Sequence, residues 1–277
     1  MKPAGFQFAH PATLAEATQM LRDQRRDTKL MAGGQSLGPM LNLRLAKPET
    51  IINLADLPEL RTVTEDSDHV EFGAVLRHAE FEDGSLPEPT GGMMRYVASG
   101  IAYRAVRNRG TIGGSLCHAD PAADWITALT ALGATVRIVS AQGSMRDVEM
   151  TRFMHGAYRT EVNGDEILKS VILPRYSPSA VWGYYKICRK VGEFADAIAA
   201  WVADPVKRYS RVVFGATAGA PIVSVRLSQQ IAKTGEIPDK DDIKAELDLL
   251  APDLDRVKQH LFAVALQRCI KQALNND

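Results

Sequence analysis

Two paired-glycine segments constrain this chain more than any other feature. They are Ala32-Gly33-Gly34-Gln35-Ser36-Leu37, running into Gly38-Pro39, and Thr111-Ile112-Gly113-Gly114-Ser115, running into Leu116-Cys117-His118-Ala119-Asp120-Pro121. Glycine has no Cβ, so a glycine pair lets the backbone turn sharply and come close to a ligand. Each segment also carries a hydroxyl side chain and precedes a stretch that reads as a helix, so each can present backbone N–H groups to a phosphate. One such loop says little. Two predict a ligand with two phosphates, gripped from both sides.

The 277 residues suffice for two small domains or one large one, and a hydrophobic content of 45% supplies a core. Lys plus Arg and Asp plus Glu both number 33, giving a formal charge of zero, and no basic run offers a track for a phosphodiester backbone. No nucleic acid partner is expected. The stretch from Met1 to Pro11 holds one Lys and no apolar run of secretory length, and no segment approaches the roughly 18 to 20 apolar residues of a membrane span. The expectation is a cytoplasmic protein. Cys117, Cys188 and Cys269 lie far apart, with no Cys-x-x-Cys and no Cys/His cluster at ligand spacing, so no metal or iron–sulfur cluster is expected in this chain. Burial as small hydrophobes is expected for all three. His118 reads as a spacer or hydrogen-bonding residue rather than a base.

Leu14, Ala17, Thr18 and Leu21 share one face of a predicted helix from Thr13 to Gln24. A strand at Lys29 to Ala32, the first glycine loop, a short helix from Pro39 that carries Met40, Leu41, Leu43 and Leu45, and a strand at Glu49 to Leu54 complete a βαβαβ-like unit. A strand at Val70 to Leu76 and a helix at Met93 to Ile101 lead to the second loop. Asp120-Pro121 is expected to cap a helix that runs to Leu132 and stops at Gly133, followed by strands at Ala134 to Val139 and Glu166 to Leu173. Tyr176 to Pro178 reads as a joint between domains. Beyond it, strands are expected at Val181 to Cys188, Ala195 to Val202 and Arg211 to Ala218, then helices at Asp241 to Leu250 and Asp253 to Ala273. Leu254, Val257, Leu261, Val264 and Ala265 make the expected core stripe of the last helix. The charged stretch 238–246 reads as a solvated loop and helix start.

A Rossmann site needs Gly-x-Gly-x-x-Gly after its first strand, and Gly33-Gly34-Gln35-Ser36-Leu37-Gly38 fails at the third position. A Walker loop fails because no Gly-Lys-Ser or Gly-Lys-Thr follows. The phosphate grip must therefore use another geometry.

In these motifs the chain resembles the FAD-binding medium subunit of molybdenum hydroxylases, the group of carbon monoxide, xanthine, nicotine and related heterocycle dehydrogenases. Both glycine loops match in sequence and order. So do Gly164-Asp165-Glu166-Ile167-Leu168 leading to Pro174, and Tyr185-Lys186 leading to Arg189-Lys190-Val191-Gly192-Glu193-Phe194-Ala195. The likeness spans nearly the whole chain. It implies an α+β fold with an FAD-binding PCMH-type domain of two α/β subdomains, then a C-terminal domain with a three-stranded antiparallel sheet and helices. The corresponding spans are 1–175, with subdomains at about 1–56 and 57–175, and 176–277.

Carried over residue by residue, the resemblance places Leu30, Met31, Ala32, Gly33, Gly34, Gln35, Ser36 and Leu37, together with Thr111, Ile112, Gly113, Gly114 and Ser115, around the FAD pyrophosphate. The amides of Gly33, Gly34, Gln35, Gly113 and Gly114 would be donors, each such charge-assisted bond contributing about 1.5 to 3 kcal/mol. Ile101 would pack on the isoalloxazine ring, Asp124 would make a polar contact, and Leu168 and Lys186 would add further contacts. No residue is implied as a catalytic acid or base or as a metal ligand. Ser115 stands where many members have Asn, and Gly38 where many have a second Leu; FAD binding should survive both. Glu193 matches an acidic position near the flavin in some relatives.

The family's division of labour implies a large partner subunit with the molybdenum cofactor, a small partner subunit with two-iron–two-sulfur (2Fe-2S) clusters, and FAD in this chain as the outlet to an external electron acceptor. Paired heterotrimers are the implied assembly. The substrate of such a complex would be an N-heterocycle, nicotine-like or purine-like, or carbon monoxide or an aldehyde. Two rival readings are a self-sufficient FAD-dependent oxidase or reductase of the same fold, and a nucleotide-binding scaffold without redox chemistry.

Overall fold

The computed structural model describes residues 2–23 and 27–274. The chain begins with β1 (Gln7–Ala9), α1 (Leu14–Asp23), β2 (Thr28–Met31), α2 (Leu37–Asn42) and β3 (Thr50–Asn53). The three strands form a parallel sheet in the order β1-β3-β2, with Ile52 beside both Ala9 and Leu30. This is the βαβαβ-like unit read from the sequence, although Gln24, placed in its first helix, lies outside the described residues. Because β3 is central, Ile51 and Ile52 are fully buried. The second helix is shorter than expected: Leu43 and Leu45 lie beyond it and are exposed, and Arg44 turns the chain with φ 58°.

A single 3-10 turn at Pro58–Leu60 leads into the second unit, which contains β4 (Val63–Glu65), β5 (His69–Gly73), α3 (His78–Glu82), α4 (Met93–Ser99), α5 (Arg104–Arg107), α6 (Ile112–His118), α7 (Asp124–Ala131), β6 (Thr135–Ser140), β7 (Met145–Glu149), α8 (Met150–Phe153), β8 (Met154–Gly156), β9 (Arg159–Thr160) and β10 (Glu166–Pro174). Its antiparallel sheet has the order β4-β5-β10-β6-β7. Two local expectations are corrected here. Gly113 and Gly114 do not precede a helix but form the first turn of α6, because the Thr111 hydroxyl accepts from the Gly114 amide and caps the helix there. Asp120 does not cap α7: its carboxylate accepts from the Ala122 amide and closes a turn, and the helix begins at Asp124.

The C-terminal part is an antiparallel meander of β11 (Val181–Ile187), β12 (Ala197–Asp204), β13 (Tyr209–Gly215) and β14 (Ile222–Ser224), followed by α9 (Val225–Thr234), α10 (Lys240–Leu250) and α11 (Arg256–Leu274). Short β14 extends the three expected strands by one. β12 is buried along its whole length, which its near-continuous apolar sequence reflects. One of its faces, with Ala199 and Trp201, meets the terminal helices; the other, with Ile198, Ala200 and Val202, joins the core around α7. All eight residues of α7 are buried. The sheet and the connection leading into it also grip the carbonyls at the helix end: Tyr209 donates to Ala131, Arg211 to Thr130 and, from the connection, Tyr176 to Leu132. These groups satisfy acceptors that a helix C-terminus leaves without partners.

The buried ridge of α11 runs through Phe262, Ala263, Ala265, Leu266, Cys269, Ile270 and Ala273; of the expected stripe Ala265 is fully buried and Leu254 and Leu261 pack against the same core, whereas Val257 is exposed. The face is set by where α11 meets the sheet. A Cβ on Gly183 of β11 would lie 2.0 Å from the Cys269 carbonyl oxygen, so helix and strand touch through bare backbone. Gly183→Ala is therefore expected to lower stability by about 1 to 3 kcal/mol through overpacking, readable as a drop in melting temperature; an unchanged melt would mean the helix can slide. The stretch 238–246 is not wholly solvated either, since Glu246 is buried and accepts from the Ser224 hydroxyl and the Arg226 guanidinium.

Candidate functional site

Met31 ends β2, and the first glycine loop leaves the C-terminal edge of the parallel sheet, where open parallel sheets commonly receive ligands. Gly34 needs its glycine for a φ of +71°. Gly33 needs its own for space, because a Cβ there would lie 2.0 Å from the Arg109 carbonyl oxygen and 2.8 Å from the Gly110 Cα. The two glycine segments are thus pressed together. Among the described residues the amides of Gly33, Gly34, Gln35 and Ser36 have no protein acceptor, and the Ser36 hydroxyl does not cap α2. Leu30 and Leu37 frame this loop at the end of β2 and the start of α2.

The second segment contributes differently. The Gly113 amide donates to the Ala74 carbonyl and the Gly114 amide to Thr111 Oγ1, so these two expected phosphate donors are already engaged within the protein. Their glycines serve close packing: a Cβ on Gly113 would lie 2.5 Å from Ala74 Cβ, and one on Gly114 would lie 2.8 Å from Thr111 Oγ1. Ile112 is fully buried, and the half-buried Ser115 side chain makes no hydrogen bond among the described residues. The grip is asymmetric, with free N–H groups on the first loop and the Ser115 hydroxyl on the second.

A third cluster forms where β11 passes the N-terminus of α7. Lys186 Nζ lies 3.0 Å from Asp124 Oδ1 and donates to the Gly100 carbonyl at 2.8 Å, which brings Lys186, Asp124 and the neighbour of Ile101 together. The Tyr184 hydroxyl donates to Asp124 Oδ1 at 2.7 Å. Burial pushes the Asp124 carboxyl above its ordinary value, opposed by the Lys186 ammonium and the Tyr184 hydroxyl. Tyr184 is raised as well, by burial and then by the carboxylate. The carbonyls of Ile101 and Ala102 accept from Arg107, whose guanidinium is fixed by Glu82. Gly192, with φ +90°, packs its loop onto Ala102 and Tyr103 beside this cluster. Leu168 stands apart from it. It is buried in β10 next to Lys169, whose carbonyl accepts from Ala74, and so belongs to the side of the second glycine segment.

Of the cysteines, Cys269 alone is buried; Cys188 is half-buried and Cys117 is exposed, contrary to expectation. The protein around Cys117 nonetheless pushes its thiol up to about 12. His118 packs its ring near Tyr158 at 5.2 Å and faces no carboxylate partner there.

His78 is a residue that the sequence did not single out. Its Nδ1 accepts from the Trp125 indole at 3.0 Å, and burial, aided by the Arg107 charge, pushes its pKa down to about 3. In the unfolded chain the ring titrates near its ordinary value of about 6.5. Between these values the unfolded chain takes up the proton and the native chain does not, so stability falls as pH drops through that window. At pH 5 the loss is about 2 kcal/mol relative to neutral pH. Urea titrations across pH should show it, and His78→Phe should remove it; a slope unchanged by the substitution would assign the acid sensitivity to other groups.

Residues 4–176 match the family model described as FAD binding domain in molybdopterin dehydrogenase. The chain belongs to this family. Across its length it is similar to the nicotine 6-hydroxylase medium subunit of Paenarthrobacter nicotinovorans, 34% identical over 88% of this chain and 81% of that protein. It is also similar to caffeine dehydrogenase subunit beta of Pseudomonas sp. (strain CBB1), 31% identical over 80% of this chain and 76% of that one. Among solved structures, quinoline 2-oxidoreductase from Pseudomonas putida 86 superposes with a TM-score of 0.86 at 30% identity, covering 99% of this chain and 98% of that one. An FAD-binding medium subunit of the molybdenum hydroxylase type is thus what the motifs indicated and what the family match supports. The residues present fit FAD: two glycine segments in backbone contact, four unclaimed amides and two unclaimed serine hydroxyls suit a pyrophosphate. Tyr184 and Arg107 were missed at the sequence level. Tyr184 carried a signal, since it lies two residues before Lys186 and shares its strand face; Arg107 did not.

Proposed function

We propose that this chain is the electron outlet of a molybdenum-dependent hydroxylase complex. The observation that carries the reading is the cradle of free amides at Gly33, Gly34, Gln35 and Ser36 closed by the second glycine segment. The amides and the hydroxyls of Ser36 and Ser115 hold the pyrophosphate, Ile101 provides the apolar surface beneath the ring, and Lys186, anchored by Asp124, sets the charge beside it. FAD, when bound, supplies storage for two electrons that can leave singly or as a pair. Among the described residues no cluster of His, Cys, Asp or Glu could hold a metal ion. The electrons therefore enter from 2Fe-2S clusters in a small partner subunit, after substrate is oxidised at the molybdenum cofactor of a large one, and leave to an external acceptor.

In this reading the substrate is a small molecule chosen by the large subunit: an N-heterocycle of nicotine or purine type, carbon monoxide or an aldehyde. Residues 1–175 make up the FAD-binding domain and 176–277 the C-terminal domain, and two heterotrimers pair in the assembly. No helix among the described residues is long and apolar enough to cross a membrane. Three free cysteines accord with work in the cytoplasm.

The test is purification of the tagged chain from its own cells under mild conditions, with an absorption spectrum and mass identification of what accompanies it. A flavin spectrum with one larger and one smaller partner containing molybdenum and iron is expected. A yellow protein that comes down alone and oxidises a substrate by itself would overturn the reading in favour of a self-sufficient flavoenzyme. A colourless one would overturn the FAD assignment itself.

A further inference from the structure

The loop cleft has a support that neither loop supplies. Gly110, the residue before the cap of α6, is closely packed. A Cβ built on it would meet the His78 ring, with Cδ2 and Nε2 both at 2.9 Å, and its Cα lies 2.8 Å from where a Cβ on Gly33 would stand. The imidazole and Gly33 therefore both press on Gly110. His78 is also tied to this segment by its own amide, which donates to the Gly110 carbonyl at 2.9 Å, and by the bridge that pairs Arg77 with Thr111.

The ring cannot turn freely in that position. Its Nδ1 accepts from Trp125 Nε1, and Trp125 is fully buried in α7, one residue after Asp124. Phe81 packs edge-on against the same indole at 5.4 Å. A planar side chain held at one edge by a hydrogen bond and packed on its sides acts as a spacer of fixed thickness. The accepting Nδ1 leaves Nε2 to carry the proton of the neutral ring, so no charge is placed beneath the loop.

We infer that His78 is a positioning residue for the phosphate grip: its imidazole, locked by Trp125, holds Arg109 and Gly110 against Gly33 and fixes the gap between the two glycine loops. This rests on the reading of the loops as the pyrophosphate site. It predicts a division within the cofactor. The half that contains the pyrophosphate depends on His78, whereas the ring half, assigned to Ile101 and Lys186, does not.

The test uses the full chain freed of FAD, titrated with FAD, with ADP and with riboflavin, which lacks the phosphates. Trp125→Phe keeps an aromatic ring and removes the indole N–H, leaving Nδ1 unpaired; His78→Phe keeps a ring and removes the acceptor. Both are expected to weaken FAD and ADP by about tenfold, the order of one lost buried hydrogen bond, with riboflavin unchanged. His78→Asn, whose amide oxygen can replace Nδ1 as acceptor for the indole, should recover most of the ADP affinity. Unchanged ADP affinity in both phenylalanine variants would overturn the inference. So would losses in ADP and riboflavin of equal size, which would indicate general loosening. Gly33→Val serves as the control for the site: if that variant keeps full ADP affinity, the loop assignment itself is wrong. If Gly33→Val loses ADP and the His78 and Trp125 variants do not, the loops stand and only the positioning role fails.

Discussion

Lys186→Met is expected to destabilise the folded chain by about 3 to 5 kcal/mol at pH 8, because it leaves a buried carboxylate without its partner. Asp124 is 7% exposed and retains the Tyr184 hydroxyl and its own backbone amide after the change. The carboxylate can escape part of this cost by taking up a proton. Burial already holds its folded pKa above the unfolded value, and loss of the ammonium raises it further. An acid whose pKa is higher in the folded state gains stability as pH falls from the folded value toward the unfolded one. The difference between Lys186→Met and the parent chain should accordingly shrink from pH 8 to pH 5, and comparing the two at each pH cancels the contribution of His78. Asp124→Asn in the same background should restore most of the loss, since the amide oxygen still accepts from Tyr184. Urea melts of the three chains at both pH values decide the matter. Equal stability of Lys186→Met and the parent at pH 8 would mean that water reaches the pair and screens it.

A graded glycine series carries the second large effect. Gly33→Val is expected to give protein with essentially no flavin, because the 2.0 Å approach of a Cβ to a carbonyl oxygen can be relieved only by driving the loops apart. Gly34→Ala should be milder: its Cβ meets nothing closer than Met31 Sδ at 3.6 Å, and the cost is that of a left-handed backbone, about 1 to 2 kcal/mol. Gly38→Ala has open space around it inside α2 and should be neutral or slightly stabilising, by up to about 1 kcal/mol. Flavin absorbance per mole of purified chain, with the melting temperature of each variant, gives the ranking. Full occupancy in Gly33→Val would sink the cleft as the cofactor's seat.

Much of the architecture was legible because its signals are local. The first unit announces itself through strand, glycine loop and helix in order, and α11 through its length. The stripe on α11 was legible in part, with Ala265 in the core and Leu254 and Leu261 against it; Val257 and Phe262 look alike as apolar residues, and where the helix meets the sheet is set by Gly183, far away in sequence. The boundaries near Asp120 failed for a similar reason: an Asp-Pro pair can cap a helix or close a turn, and here the turn must carry the chain over to α7. At the site, the loops were legible as glycine patterns, but which amides remain free was not. That depends on Ala74, which occupies the Gly113 amide and is contributed by the end of another strand. His78 was invisible for the same reason, since its role exists only where Gly110, Trp125 and Gly33 meet.

The clamp on α7 bears on how this module can be reused. A helix buried on every side has no solvent face, and half of what hides α7 comes from a sheet encoded more than fifty residues downstream. Anyone grafting the cofactor-binding part onto a different electron source would have to bring the later sheet with it, or repaint the apolar side of that helix with polar residues while preserving Asp124 and Trp125. Those two needs conflict, since both residues sit in the first turn of the element to be resurfaced. By this packing the portable unit extends past residue 176, where the family match ends, to the strands that cover α7.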